Sequence, residues 1–170
     1  MSDVMRAPFI EKVVVNIGVG EAGERLNKAQ KVLNMLTKQK PMVTTAKVTN
    51  RDLGVRDGMP IGCKVTLRGE AAEAFLRKAL AIRENRVASY SFDPEGNLSF
   101  GISDYTDFEG MKYDPEIGIF GMDISVVFHR PGYRVAKRRI MAKRIPKEHR
   151  MTREEAQAFM REKFNVEVVE

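Results

Sequence analysis

The sequence contains no tryptophan, one cysteine and two histidines. The lone Cys63 excludes an internal disulfide and offers no cysteine cluster for zinc. His129 and His149 have no partner at metal-ligand spacing, and the carboxylates are scattered. No Ser–His–Asp or Cys–His arrangement can therefore be argued, and catalysis, metals and cofactors find no support. Without tryptophan there is no indole platform for stacking. No apolar run approaches membrane-spanning length. The opening Met1-Ser2-Asp3-Val4-Met5-Arg6 has no apolar signal core, so a reducing cytoplasm is the expected compartment. The chain shows no internal repeat and no low-complexity linker.

What is present is a globular composition: 43% hydrophobic and 31% charged in 170 residues. That length predicts one compact domain, residues 1–170. The formal net charge is +6 and the pI about 9.5, a mild excess that is compatible with an RNA partner. Its distribution says more. Residues 129–153 hold ten Lys or Arg against Glu148 alone, a local charge of +9 in a chain of +6, so the remainder carries −3. A basic character confined to one segment suits contact with a polyanion better than general solubility.

Alternation and helical periodicity outline the fold. Residues 10–19 read as a strand with Val13, Val15, Ile17 and Val19 on one face, and Lys12, Asn16 and Gly18 on the other with Val14. Residues 25–37 read as a helix, with Leu26, Ala29, Leu33 and Leu36 on one stripe; Pro41 stops it. A short β-prone run at 42–47 follows, then a polar, glycine-containing loop at 48–58. Cys63, Val65 and Leu67 then alternate with Lys64, Thr66 and Arg68. Residues 70–83 predict a second helix. A turn at 93–97 precedes strands around 98–102 and 122–129, and 103–121 is loop-rich. Thr152-Arg153-Glu154-Glu155 fits a capping box opening a helix over 152–164. An edge strand is expected at 166–169. The economical architecture is α+β: a mainly antiparallel sheet, helices packed on one face, and the other face open. That face would present Lys12, Asn16, Lys64, Thr66 and Arg68 together, a set suited to an anionic, hydrogen-bonding partner.

Four motifs bear on function. Gly18-Val19-Gly20-Glu21-Ala22-Gly23 matches the dinucleotide-binding pattern, which admits a nucleotide-binding enzyme as one alternative. No acid lies about twenty residues on, where Lys38-Gln39-Lys40-Pro41 stands, and the repeats of a doubly wound sheet are absent. The bland reading is a flexible strand-to-helix turn. The acids of 107–116 suggest a hard-cation site less than an ordered surface loop. The loop at 47–60 carries Lys47, Arg51 and Arg56 and is long for a hairpin, as loops that reach a partner are. The segment Arg130-Pro131-Gly132-Tyr133-Arg134-Val135-Ala136-Lys137-Arg138-Arg139 mixes cations with one aromatic. Its Arg and Lys side chains suit rRNA phosphates, and Tyr133 either stacks on a base or packs. A non-specific basic RNA chaperone is a second alternative.

Several of these stretches together carry a resemblance. Val14-Val15-Asn16-Ile17-Gly18-Val19-Gly20-Glu21, Gln39-Lys40-Pro41, residues 59–69 and Tyr113-Asp114-Pro115-Glu116-Ile117-Gly118-Ile119-Phe120-Gly121-Met122-Asp123 resemble the large-subunit ribosomal protein L-five family. Arg130-Pro131-Gly132-Tyr133 and the basic tail resemble its archaeal and eukaryotic branch. The resemblance implies a five-stranded antiparallel sheet and a structural, non-enzymatic protein that attaches 5S rRNA to the large subunit in the central protuberance. It implies that Asn16, Gln39 and Thr66 occupy the family's 5S rRNA recognition positions. Lys40, Lys64 and Arg68 add phosphate attraction. It further implies that Lys47, Arg51 and Arg56 face P-site tRNA. Lys112 and Tyr113 would face the small-subunit head protein S-thirteen across an intersubunit bridge. Large-subunit rRNA and neighbouring central-protuberance proteins complete the implied partners. Lys38 stands where many members carry Gly.

Overall fold

The computed structural model describes residues 3–169. Its elements are β1 (Phe9–Gly18), α1 (Glu24–Thr37), β2 (Met42–Thr45), β3 (Pro60–Leu67), α2 (Glu70–Ile82), β4 (Arg86–Ala88), β5 (Leu98–Ile102), β6 (Met122–His129), α3 (Arg134–Lys137), α4 (Arg153–Phe164) and β7 (Glu167–Val169). A five-stranded antiparallel sheet runs in the order β2-β3-β1-β6-β5, and β4 and β7 form a separate pair. The α+β class expected from the sequence is the class observed. Two compact units divide the chain. One comprises Met1–Val13, Arg68–Ser99 and Ser125–Glu170; the other comprises Val14–Leu67 and Phe100–Ile124.

In the second unit, the alternation of β1 and β3 decides which side is buried. Val15, Ile17, Cys63, Val65 and Leu67 are buried, and α1 lies against β3 with Leu26, Ala29, Val32 and Leu33 turned inward. Each Val, Leu or Ile side chain among them contributes about 1.5–3 kcal/mol on burial. β2 pairs antiparallel with β3, Met42 opposite Lys64 and Thr44 opposite Gly62. Gly62 is required by its surroundings. A Cβ there would meet the Ile17 carbonyl at 2.8 Å and the Thr44 hydroxyl at 2.9 Å. β2 stops at Thr45, shorter than the expected run to 47, because the register shifts between Thr44 and Thr45. Helix α1 ends on Lys38 at φ 54°, donating its amide to the Asn34 carbonyl. A left-handed closing residue is a glycine's place, which gives physical content to the departure at Lys38.

In the first unit, α2 buries Ala72, Phe75, Leu76, Ala79 and Leu80. Helix α4 buries Ala156, Met160 and Phe164. Phe159 meets Phe128 edge to face at 5.7 Å, the geometry aromatic quadrupoles favour. The predicted capping box is formed in full: the Thr152 hydroxyl accepts from the Glu155 amide, and the Glu155 carboxylate accepts from the Thr152 amide. Two features differ from expectation. The strand at the C-terminal end pairs parallel with β4, Arg86 opposite Glu167, rather than edging the main sheet. Left-handed Asn165 closes α4, and the Glu167 amide then bonds the Asn85 carbonyl. The basic segment also contains the one-turn helix α3, which charge counting did not reveal.

Candidate nucleic-acid interface

The polar side of the second unit follows from the strand period. With Val15, Ile17, Cys63 and Val65 buried, Asn16 and Lys64 are left half-buried and Thr66 exposed on the face away from the core. Because Met42 sits opposite Lys64 in an antiparallel ladder, the residues before β2 run towards the Thr66 end of β3. Gln39 and Lys40, both exposed, occupy that stretch, with the Gln39 amide bonded to the Thr37 hydroxyl. Amide, hydroxyl and ammonium groups of this kind match ribose 2′-OH and phosphate oxygens, by which structured RNA is read for shape. The glycine motif beside this face is already engaged. The amides of Val19 and Gly20 both donate to the Ile61 carbonyl, at 3.0 and 2.8 Å. Cys63 is inert there, its thiol pushed up to about 11 by burial.

The loop at 48–58 is an ordered hairpin. Asn50 and Val55 bridge through both backbone bonds, and the Asn50 side-chain oxygen accepts from the Asp52 and Leu53 amides. The Thr49 hydroxyl accepts from the Asp57 amide. Asparagine and threonine here replace helix or sheet bonding with local side-chain caps. Leu53 stands at the tip, 73% exposed. Lys47, Arg51 and Arg56 are exposed, and among the described residues they make no ion pair or side-chain hydrogen bond. In the segment 103–121, Tyr105 and Phe108 are buried anchors, while Lys112 is exposed and Tyr113 is 59% exposed.

The basic segment behaves differently from its charge count. Arg130 is 9% exposed, and its guanidinium lies 2.6 Å from the Glu155 carboxylate. Burial raises the Glu155 carboxyl, but bonds from the Thr152 amide and Arg130 outweigh it and hold it below its ordinary value. Tyr133 stacks on His129 at 4.3 Å between ring centres, and its hydroxyl accepts from the Met151 amide. Lys137 donates to Glu11 at 2.6 Å. Arg138 donates to the Met141 carbonyl and Arg150 to the Ile145 carbonyl. Arg134 and Arg139 are exposed and, among the described residues, unpaired. The expectation that Arg130 presents itself with the other cations is therefore corrected. It is built into the fold, because a guanidinium leaving water needs a carboxylate partner, while half-buried Tyr133 is held by its stacking and its hydrogen bond.

Glu11 is the residue that sequence reasoning missed. Besides Lys137 it has the Arg68 guanidinium at 3.7 Å and the His129 Nδ1 at 2.8 Å. The His129 approach makes no hydrogen bond, and Oε2 of Glu11 is buried without one. Burial pushes the Glu11 carboxyl up, but the Lys137 bond and the charges of His129, Lys137 and Lys12 more than offset it, leaving it below its ordinary value. His129 is pushed down by burial, with Glu11 opposing and Lys137 and Lys12 assisting. Arg68 is thus tied to Glu11, although it remains exposed. The signal in the sequence was the spacing of Ile10 and Val13. Both are buried with two half-buried residues between, so the strict alternation of the strand slips at Glu11-Lys12. Among the described residues no cluster of side chains could hold a metal ion, and no helix is long and apolar enough to cross a membrane.

The sequence model of the family described as "Ribosomal protein L5" matches residues 3–56, and the model of that family's C-terminus matches residues 60–162. A protein named "Large ribosomal subunit protein uL5" from Picrophilus torridus is 57% identical over 166 residues, covering 97% of this chain and 94% of that one. Its namesake from Sulfurisphaera tokodaii is 56% identical over 167 residues, covering 98% and 94%. That from Methanosphaera stadtmanae is 51% identical over 166 residues, covering 98% and 99%. Matched over nearly its whole length by such relatives, the chain belongs to the ribosomal L5 family, in its archaeal form.

Proposed function

We propose that this protein attaches 5S rRNA to the large ribosomal subunit in the central protuberance, through the helix-free side of β1 and β3. As a member of its family it is a structural component of the large subunit. The observation that carries the finer reading is the sharing of one face by Asn16, Lys64 and Thr66, with Gln39 and Lys40 at the end of β3 where Thr66 lies. Asn16, Gln39 and Thr66 supply hydrogen bonds that read RNA shape; Lys40, Lys64 and Arg68 supply phosphate attraction. Arg134, Lys137, Arg138 and Arg139 contact large-subunit rRNA, with Arg130 and Tyr133 holding their segment in place. The unpaired cations of the hairpin at 47–60 support a contact with P-site tRNA. Exposed Lys112 and Tyr113 support a bridge to the small-subunit head protein S-thirteen.

The test is a filter-binding titration against 5S rRNA and an unrelated folded RNA, across salt. Asn16→Ala, Gln39→Ala and Thr66→Ala are each expected to weaken 5S rRNA binding by about 1 kcal/mol, the net worth of a hydrogen bond, with melting unchanged. Equal affinity of all three variants and the parent would overturn the site. Parallel loss of both RNAs with rising salt would favour the basic chaperone instead.

A further inference from the structure

The first unit contains a cleft of about 600 Å3 that the sheet-face reading does not use. That volume lies within the span of small-ligand sites, about 300–1,000 Å3. One wall is the stacked His129–Tyr133 pair. Lys12, Arg144 and Arg150 line it with their cations. Glu11 lies in its lining as well, with its Oε2 buried 2.8 Å from the His129 Nδ1. Arg144 is exposed and, among the described residues, has no partner, so its charge is available. Arg150 is half-buried and braced by its bond to the Ile145 carbonyl, which fixes where its guanidinium points.

Each component answers to a different part of one kind of ligand. Flat rings offer a surface for a planar aromatic group. Separate cations suit phosphate oxygens. A simple anion would use only the cations and would be opposed by Glu11 and by Glu95, which also lines the cleft. A simple apolar ligand would leave the cations idle. A nucleotide uses both: base against the rings and phosphates on the cations.

We propose that this cleft takes up one unpaired nucleotide of an RNA, lodging its base against His129 and Tyr133 and its flanking phosphates on Lys12, Arg144 and Arg150. The inference rests on the reading of the chain as an RNA-binding protein but uses residues distinct from Asn16, Gln39 and Thr66. It gives the first unit a preference for splayed single strands, where the sheet face reads folded RNA. His129 is held neutral by its burial, which suits stacking.

The probes are a short labelled single-stranded RNA of mixed sequence and a blunt RNA duplex of the same length, titrated by fluorescence anisotropy at moderate salt. The parent is expected to prefer the single strand. Ala136→Trp adds bulk from an exposed lining position. It is expected to lower single-strand affinity about tenfold, the size of one lost base stack, while duplex affinity stays. His129→Ala removes the wall instead of filling the space and is expected to act the same way. Thr66→Ala is expected to weaken 5S rRNA binding and leave the single strand untouched. If Ala136→Trp and His129→Ala melt as the parent does and bind the single strand equally well, the cleft is not a nucleotide site, whatever Thr66→Ala does. If the parent binds single strand and duplex alike, the inference also fails. Loss of 5S rRNA specificity in the parent would instead count against the sheet-face reading alone.

Discussion

The ten cations of residues 129–153 and the three of the hairpin at 47–60 teach opposite lessons about charge. In the basic segment the density is high, yet several cations have protein partners: Arg130 with Glu155, Lys137 with Glu11, Arg138 and Arg150 with backbone carbonyls. In the hairpin the density is low, but Lys47, Arg51 and Arg56 have no partner among the described residues. Arg130, buried against its carboxylate, has settled its desolvation already and holds structure. A charge left in water is free to displace the cations condensed on a phosphate backbone. Counting Lys and Arg measures the first and second kinds together.

The sharpest way to break this contrast is to remove an internal partner. Glu155→Ala deprives buried Arg130 of its carboxylate and α4 of half its capping box. It is expected to lower stability by about 2 kcal/mol in urea unfolding. A loss within error of zero would mean that Arg130 finds water and belongs with the free cations.

The next effect is acid sensitivity in the first unit. Glu11, with its folded value below the ordinary 4.5, adds stability at higher pH that is lost as pH falls through the lowered folded value. His129, also lowered, works in the same direction at a higher pH. The unfolded chain takes up that proton first, near 6.5, so stability declines as pH falls from there towards the folded value. Melting temperature against pH should therefore fall in two steps. Glu11→Gln should flatten the lower step and His129→Gln the upper; a parent curve level as pH falls below 6.5 would contradict the His129 assignment, and one with no further fall below 4.5 that of Glu11.

Smaller effects on the fold are expected from the free cations. Replacing Arg134, Arg139 and Arg144 by Gln should change stability by less than about 0.5 kcal/mol. The same variant should make the salt dependence of rRNA binding shallower, by roughly one in slope for each phosphate no longer neutralised. A large stability loss would show that these side chains, too, are structural. Least of all should be felt from Arg51→Gln with Arg56→Gln. Stability and 5S rRNA affinity are expected to stay, while P-site tRNA occupancy on assembled ribosomes declines. A fall in 5S rRNA affinity instead would give the hairpin a different partner.

Much of the fold is legible in the sequence because it obeys local periods. The alternation in β1, β3 and β6, the stripes of α1 and α2, and the capping box at Thr152 all depend on residues within one turn or one pleat. What escapes depends on distance along the chain. Val168 gives no sign that its partner is Val87. Arg130 looks like any other arginine until Glu155 is folded against it. Glu11 looks like one more polar strand residue, because its partners lie at 68, 129 and 137. The polar face of Asn16, Lys64 and Thr66 is readable for the converse reason: strand parity alone decides it.

The carboxylate of Glu11 also sets an order of events during synthesis. Its bond to Lys137 spans 126 positions, whereas β2 and β3 close a ladder between residues about twenty apart. On a growing chain, the strands bearing Asn16, Lys64 and Thr66 leave the ribosome long before position 137 has been made. Close-range pairing proceeds early, and long loops close late. A nascent protein of this kind is expected to own a finished sheet ladder while its cationic segment is still unanchored, and Glu11 waits, unneutralised, for the chain to return.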